Sequence, residues 1–477
     1  MKKLFKTAPL IIIALLVLIS GCMPYKDAFK APHPILPNSF GRSSADSADV
    51  ASLSWRNYFG DPHLIALIDT ALKNNQELNI VMQEIEVAKN EVRARKGEYL
   101  PFVNIGLGSG LEKEGLYTRK GAIDSQLSIK DGKPFPEPLG DVNVAALARW
   151  ELDVWQKLRN AKRSAAMRYL STIEGRNFLV THLVAEIAEA YYELEALDNL
   201  LEIVEQNIEI QENALKVVRQ QKDAAKVTQL AVNRFEAQLL NTRNLQYEIR
   251  QKITETENKI NFLTGRYAGR VSRSSTSFLQ EKIDSIQAGV PAQLLQNRPD
   301  IRQAEYELQA AKLDVKSARA NFYPSVGIRA ATGFQAFNPA FLLNPESILY
   351  NAAGDILAPF INRNAIKALY NTANAKQLQA VYRYEQTVLN AYVDVLNQLA
   401  KLENYSNSYQ TKEKEVEILN HSVQIANSLF NSARADYAEV LLTQREALEA
   451  RLDLIEVKLK LLQGKVNIYR ALGGGWR

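Results

Sequence analysis

Cysteine is almost absent. Cys22 is the only one in 477 residues, so no disulfide within the chain can staple a fold. Histidine is nearly as scarce: His33, His63, His182 and His421 are scattered, and no two sit at metal-ligand spacing. The net charge of +5 and pI of about 8.9 come with no Lys/Arg block, so a nucleic-acid partner has no electrostatic footprint. Proline and glycine are missing over long stretches. No proline occurs between Pro138 and Pro291, and Gly175 is the only glycine between Gly140 and Gly265. Little in that span can break a helix. There is no Ser/His/Asp signature, metal motif or nucleotide fingerprint. Gly106-Leu107-Gly108-Ser109-Gly110 is glycine-rich but opens no helix, so it reads as rim or turn glycines rather than a phosphate loop. Carboxylate pairs such as Glu186 and Glu189 fit a solvated helix face. The chain is not read as an enzyme, and neither cofactor nor metal is expected.

One apolar run stands out, Ala8 to Ile19, behind Lys2, Lys3 and Lys6. It has the length of a signal-peptide core and is short for a bilayer span. It leads through Ser20 and Gly21 to Cys22. Small residues before a lone cysteine resemble a bacterial lipobox, which makes residues 1–21 a signal peptide and Cys22 the lipidated first residue. Met23 after it, instead of Asp, resembles outer-membrane retention. Residues 22–54, with Pro24, Pro32, Pro34 and Pro37, read as an extended tether.

The remainder says nearly the same thing twice. Asn74, Glu77, Leu78, Ala88, Lys89, Val92, Tyr99, Pro101, Val103 and Ile105 recur, shifted by 223, as Asn297, Asp300, Ile301, Ala311, Lys312, Val315, Phe322, Pro324, Val326 and Ile328. The repeats are drawn as residues 55–290 and 291–477. Each predicts a helix that stops at a proline, two alternating strands and a long helical hairpin. In the first, Asp61 caps a helix running from Pro62 to about Glu98. Alternation follows at Val103, Ile105 and Leu107. It returns after a polar excursion at Val142, Val144, Ala146, Ala148, Trp150 and Leu152, about the length of a tilted membrane strand. Leu194, Leu197, Leu201, Val204, Ile208, Leu215 and Val218 form a heptad seam, broken only by Gln211. A helix over residues 157–221 would be about 100 Å long at about 1.5 Å per residue. The chain must reverse between Asp223 and Val227. The second repeat runs the same course from Pro299, with a turn near Ala435.

Four alternating segments cannot close a barrel alone, yet lipid demands closure. Long seamed helices also need partners. Three copies with four strands each would close twelve.

The residues that now matter are Trp55-Arg56-Asn57-Tyr58-Phe59-Gly60-Asp61-Pro62-His63-Leu64, Asn297-Arg298-Pro299-Asp300-Ile301-Arg302-Gln303-Ala304-Glu305, Ala471 to Trp476, and the Cys22-Met23-Pro24-Tyr25 start. In this order they resemble the outer membrane efflux proteins, the TolC-like channel-tunnels, in their OprM-like lipoprotein branch. That resemblance implies a mainly α chain with a membrane β-barrel part. Long antiparallel coiled-coil helices would form a trimeric α-barrel continuous with a twelve-stranded β-barrel. It implies an outer-membrane, lipid-anchored exit duct for small toxic compounds. The duct would work with a periplasmic adaptor and an inner-membrane transporter of the resistance–nodulation–division type. A protein-secretion channel or a periplasmic coiled-coil scaffold are the other readings.

The family's hairpin tips usually carry glycine, where Ala225 and Ala435 stand here. Lys226, Val227, Asp436 and Tyr437 become the candidate adaptor contacts. Matching Ala438-Glu439-Val440-Leu441-Leu442 to the family's acidic-Val-Leu stretch makes Glu439 and Leu442 a candidate periplasmic gate. They lie three residues apart on one helix face. The plainer reading is that Leu442 packs in the coiled coil and Glu439 faces solvent.

Overall fold

The computed structural model describes residues 32, 36–40, 50–130, 132–274, 278–281, 288–361, 363–432 and 434–477. Cys22 and the segment before it lie outside them. The described elements are α1 (Trp55–Phe59), α2 (Pro62–Asn74), α3 (Gln76–Glu98), β1 (Phe102–Glu112), α4 (Arg119–Asp124), β2 (Ser128–Lys130), β3 (Lys133–Pro134), β4 (Leu139–Leu152), α5 (Lys157–Asp223), α6 (Gln229–Leu263), α7 (Leu294–Asn297), α8 (Pro299–Ala320), β5 (Ser325–Ala336), β6 (Ile348–Leu357), α9 (Asn364–Asn431) and α10 (Tyr437–Ala471). They fall into two compact units. One takes residues 86–170 and 306–382, the other residues 32–85, 171–305 and 383–477.

The first unit is built on an antiparallel sheet of order β1-β4-β5-β6. Pro101 and Pro324 each stand between a helix and a strand. At both places the residue before proline is driven to extended backbone and the helix cannot continue. The two connections, residues 113–138 and 337–347, differ in length; the first carries a short α-helix and the β2–β3 ribbon, the second two single-turn 3-10 segments, Pro339–Phe341 and Pro345–Ser347. In the same unit Val315, Ala318, Phe322, Tyr370 and Ala373 form a small core.

The second unit is helical. Its main core joins Trp55, Phe59, Leu64 and Ile68 to Ile187, Tyr191 and Tyr192 of α5, Ile260 of α6 and Ile455, Leu462 and Tyr469 of α10. Asp61 caps α2 as expected, its Oδ1 accepting from the N–H groups of His63 and Leu64. The expected single helix over residues 62–98 is broken at Asn75. That side chain caps the next segment through the Leu78 N–H at 2.9 Å and donates to the Leu263 carbonyl at 2.9 Å. Gly265 presses on the break, since a Cβ there would lie 2.4 Å from the Asn74 carbonyl oxygen. No proline marks the interruption; the long-range contact to Leu263 creates it.

Gln211 does not break the α5 seam. It is buried in it, with Nε2 donating to Asn207 Oδ1 at 2.6 Å and Oε1 left without a partner.

Candidate functional site

The sheet register sorts its side chains by chemistry. Residues paired across antiparallel strands share a face. Val103 pairs with Ala148, Ile105 with Ala146 and Leu107 with Val144. Continuing across, Val144 meets Phe334, Ala146 meets Thr332 and Trp150 meets Ile328; Phe334 then meets Ile348, and Thr332 meets Tyr350. That face is nearly all apolar, yet Ile105 is 83% exposed, Leu107 79% and Tyr350 84%. The other face carries Asn104, Gly108, Asp141, Asn143, Arg149, Glu151, Gln335, Arg329 and Asp355. Its polar groups pair with one another, Gln335 Nε2 donating to Asp141 Oδ1 at 2.8 Å. Gly108 leaves room for the Asn143 side chain, which a Cβ would meet at 2.9 Å. Trp150 lies near the end of the apolar face, which closes with Leu152, Val326 and Ile356, and its indole N–H donates to the Tyr99 carbonyl at 3.1 Å. Both sheet edges, β1 and β6, are unpaired among the described residues.

In the helical unit the two hairpin turns come together. Leu215, Val218, Ala231, Val232, Phe235 and Leu239 form a cluster at the first turn, and Val227 packs on it with Tyr437 and Leu441 of the second. Two of the four candidate contact residues, Val227 and Tyr437, therefore pack on one cluster; Lys226 and Asp436 are exposed. The first turn closes with Ala225 N–H donating to the Lys222 carbonyl and Lys226 N–H to that of Gln221, at 2.9 and 2.8 Å. This paired closure needs left-handed backbone at the residue after the helix, and Ala225 adopts it with φ 53. Ala435 does not share that geometry. In the second turn Arg434 N–H donates to the Leu429 carbonyl at 2.8 Å, so Ala435 already lies beyond the closing bond.

Within Ala438–Leu442, Val440 is buried and Leu441 leans on the first hairpin, while Glu439 and Leu442 are exposed. The two residues thus share the side of α10 turned away from its own chain's core. Leu442 is 47% exposed.

A buried acidic group in this unit had no sequence signature. Tyr191 donates from its hydroxyl to Asp61 Oδ2 at 2.8 Å, and Glu195, one turn on, is 2% exposed with Oε1 unpartnered. Burial first, then the neighbouring charge of Asp61, pushes the Glu195 carboxyl up to about 8. No helix among the described residues is long and apolar enough to cross a membrane, and no cluster of His, Cys, Asp and Glu among them could hold a metal.

Residues 67–266 and 290–474 match the family model described as "Outer membrane efflux protein". The probable outer membrane lipoprotein SilC of Salmonella typhimurium is 24% identical over 98% of this chain and 98% of its own. The solvent efflux pump outer membrane protein SrpC of Pseudomonas putida is 25% identical over 99% and 98%. Among solved structures, the open state of the Neisseria gonorrhoeae MtrE outer membrane channel superposes with a TM-score of 0.83 at 21% identity. It covers 95% of this chain and 98% of that one.

Proposed function

The chain belongs to the outer membrane efflux protein family, and from that premise we propose that it is the outer-membrane exit duct of a tripartite efflux pump. It is a passive channel for small toxic compounds, driven by an inner-membrane transporter through a periplasmic adaptor. The observation that carries the reading is the four-stranded sheet with one apolar face, one polar face and two bare edges. Lipid leaves no backbone group unpaired, so such a sheet is stable there only when its edges close on other copies. Three copies give a twelve-stranded barrel with the apolar face to lipid and the polar face to water. A scaffold has no use for that face, and protein secretion has no observation in its favour.

The two hairpins line the periplasmic part as the repeats 55–290 and 291–477. Three copies of Glu439 form an acidic ring that binds cations, and three of Leu442 a dry constriction. Lys226, Val227, Asp436 and Tyr437 meet the adaptor and splay the closed end. Cys22 carries the lipid, as the lipoprotein relative supports; mass spectrometry of the mature chain should find acylation there, and any other N-terminus removes that assignment. Single-channel recording in planar bilayers tests the whole: purified protein should conduct as a trimer, and Leu442→Ala or Glu439→Ala should raise basal conductance or alter cation block. Unchanged values for both variants remove the gate but not the channel; no conductance at all removes the channel.

A further inference from the structure

We propose that the polar face of the sheet carries, at its helix end, a binding ring for amphiphilic organic anions, set by Arg149 and Arg329. It rests on the reading that this face lines the lumen of a closed trimer, and it deepens that reading to a class of cargo.

Arg149 on β4 stands directly opposite Arg329 on β5. Like charges opposed across a sheet are destabilising, so strand pairing alone does not explain this choice. Asp355 offsets one of them, its Oδ1 lying 3.3 Å from Arg329 Nε. Glu151, two residues along the same face from Arg149, is taken by Lys157 at 2.5 Å. Arg149 itself is exposed and forms no ion pair among the described residues. At this level Arg149, Arg329 and Lys157 face Glu151 and Asp355, an excess of one positive charge per chain that three copies turn into a ring.

The guanidinium does not stand alone. On the other side of β4, Phe102 is the register partner of Arg149, and Leu147 lies two residues back on the same face. They are 54% and 49% exposed. Bare apolar side chains on an otherwise polar face, beside an unpaired guanidinium, match a ligand with a charged head and an apolar body. A planar guanidinium takes a carboxylate or sulfonate through two parallel hydrogen bonds, while the body covers Phe102 and Leu147 and removes apolar surface from water. A bare metal cation meets the reverse. The ring is positive, and none of the residues named at this level is a histidine, cysteine or methionine.

The test uses two probes with the same chain and opposite permanent charge, decanesulfonate and decyltrimethylammonium, added to single trimers in planar bilayers. Glu439→Gln channels are used, so that the proposed acidic ring is neutral. Decanesulfonate should block at a roughly tenfold lower concentration than decyltrimethylammonium, the effect of one charge-assisted contact in a half-solvated lumen. R149Q should abolish that preference, R329Q should reduce it, and Arg149→Lys should retain part of it. Equal block by the two probes, or a preference unchanged in both R149Q and R329Q, overturns the ring. Absence of conductance in every variant overturns the channel reading and the ring with it.

Discussion

Ala225 holds left-handed backbone, with φ 53, at the tip of the first hairpin. A Cβ in that conformation costs roughly 1–2 kcal/mol, and glycine would not incur it. Ala225→Gly should therefore stabilise the hairpin by up to about 1 kcal/mol, net of the glycine's extra freedom in the unfolded chain. Ala225→Val should destabilise it; thermal melting of both variants checks the order. Glu195 yields a pH prediction. Its carboxyl is raised from 4.5 to about 8 by burial, so between those values the folded chain keeps a proton that the unfolded chain releases. The stability linked to this group is fully present below pH 4.5 and is lost as pH rises through 8, by at most about 1.4 kcal/mol per pH unit. Melting temperature should fall from pH 5 to 8.5, and Glu195→Gln should flatten the profile. An equal slope in both proteins would assign the pH dependence elsewhere. The positive φ was half visible in sequence, because alanine stands where the family carries glycine. The shifted carboxyl was not, since it needs Asp61 brought against α5 from 130 residues away in sequence.

Among the elements, α5 is the most legible and the most instructive. Its seam at Leu194, Leu197, Val204, Leu215 and Val218 is buried as its heptad spacing predicts. Gln211, which spacing alone marks as a fault, is a polar layer with Asn207. Burying an acceptor with no partner costs about 1–3 kcal/mol, whereas a polar seam residue can define register. Gln211→Leu should raise the melting temperature. If the layer sets register, the variant should also broaden the spread of distances between spin labels at Lys216 and Arg243; an unchanged spread leaves Gln211 without a register role. The second hairpin is less covered by its own chain. In α9, Val416, Leu419, Val423 and Phe430, at the same three-to-four spacing, are half-buried, and of this run Ala426 alone is buried. Partner helices supply the missing cover in the trimer proposed here.

On the scale of the whole molecule the sheet register makes the sharpest demand. Val144 and Ala145 are neighbours in sequence but lie on opposite faces. In the proposed barrel, Val144→Lys puts a charge into lipid and should cost about 2–4 kcal/mol near the bilayer midplane. Ala145→Lys should be tolerated, because the proposed barrel turns its side chain to the lumen. Yield of detergent-resistant trimer from outer membranes reads the difference, and equal loss from both would mean that the apolar face does not meet lipid. If the proposed lipid and barrel are right, Cys22→Ala should lose its lipid and still form trimers, because in that proposal barrel closure and not the acyl chain holds the copies together.

The sequence alone determined the long hairpin helices, the four strands of the main sheet and their order, because periodicity, proline stops and turn residues act over a few neighbours. Pro101 and Pro324 end helices whatever the remainder of the chain does, and the alternation from Val142 to Leu152 can sit flat only as a strand. It also determined the duplication and, through whole-chain resemblance, the family. Tertiary structure alone decided what depends on residues far apart in the chain. These are the break at Asn75, made by Leu263 and Gly265, and the burial of Glu195 beside Asp61. They also include the packing of Val227 and Tyr437 on one cluster, and the register that sets Arg149 against Arg329. A one-residue slip in that register would reverse both faces of a strand, and no local pattern within β4 or β5 states which residue of the other it will meet.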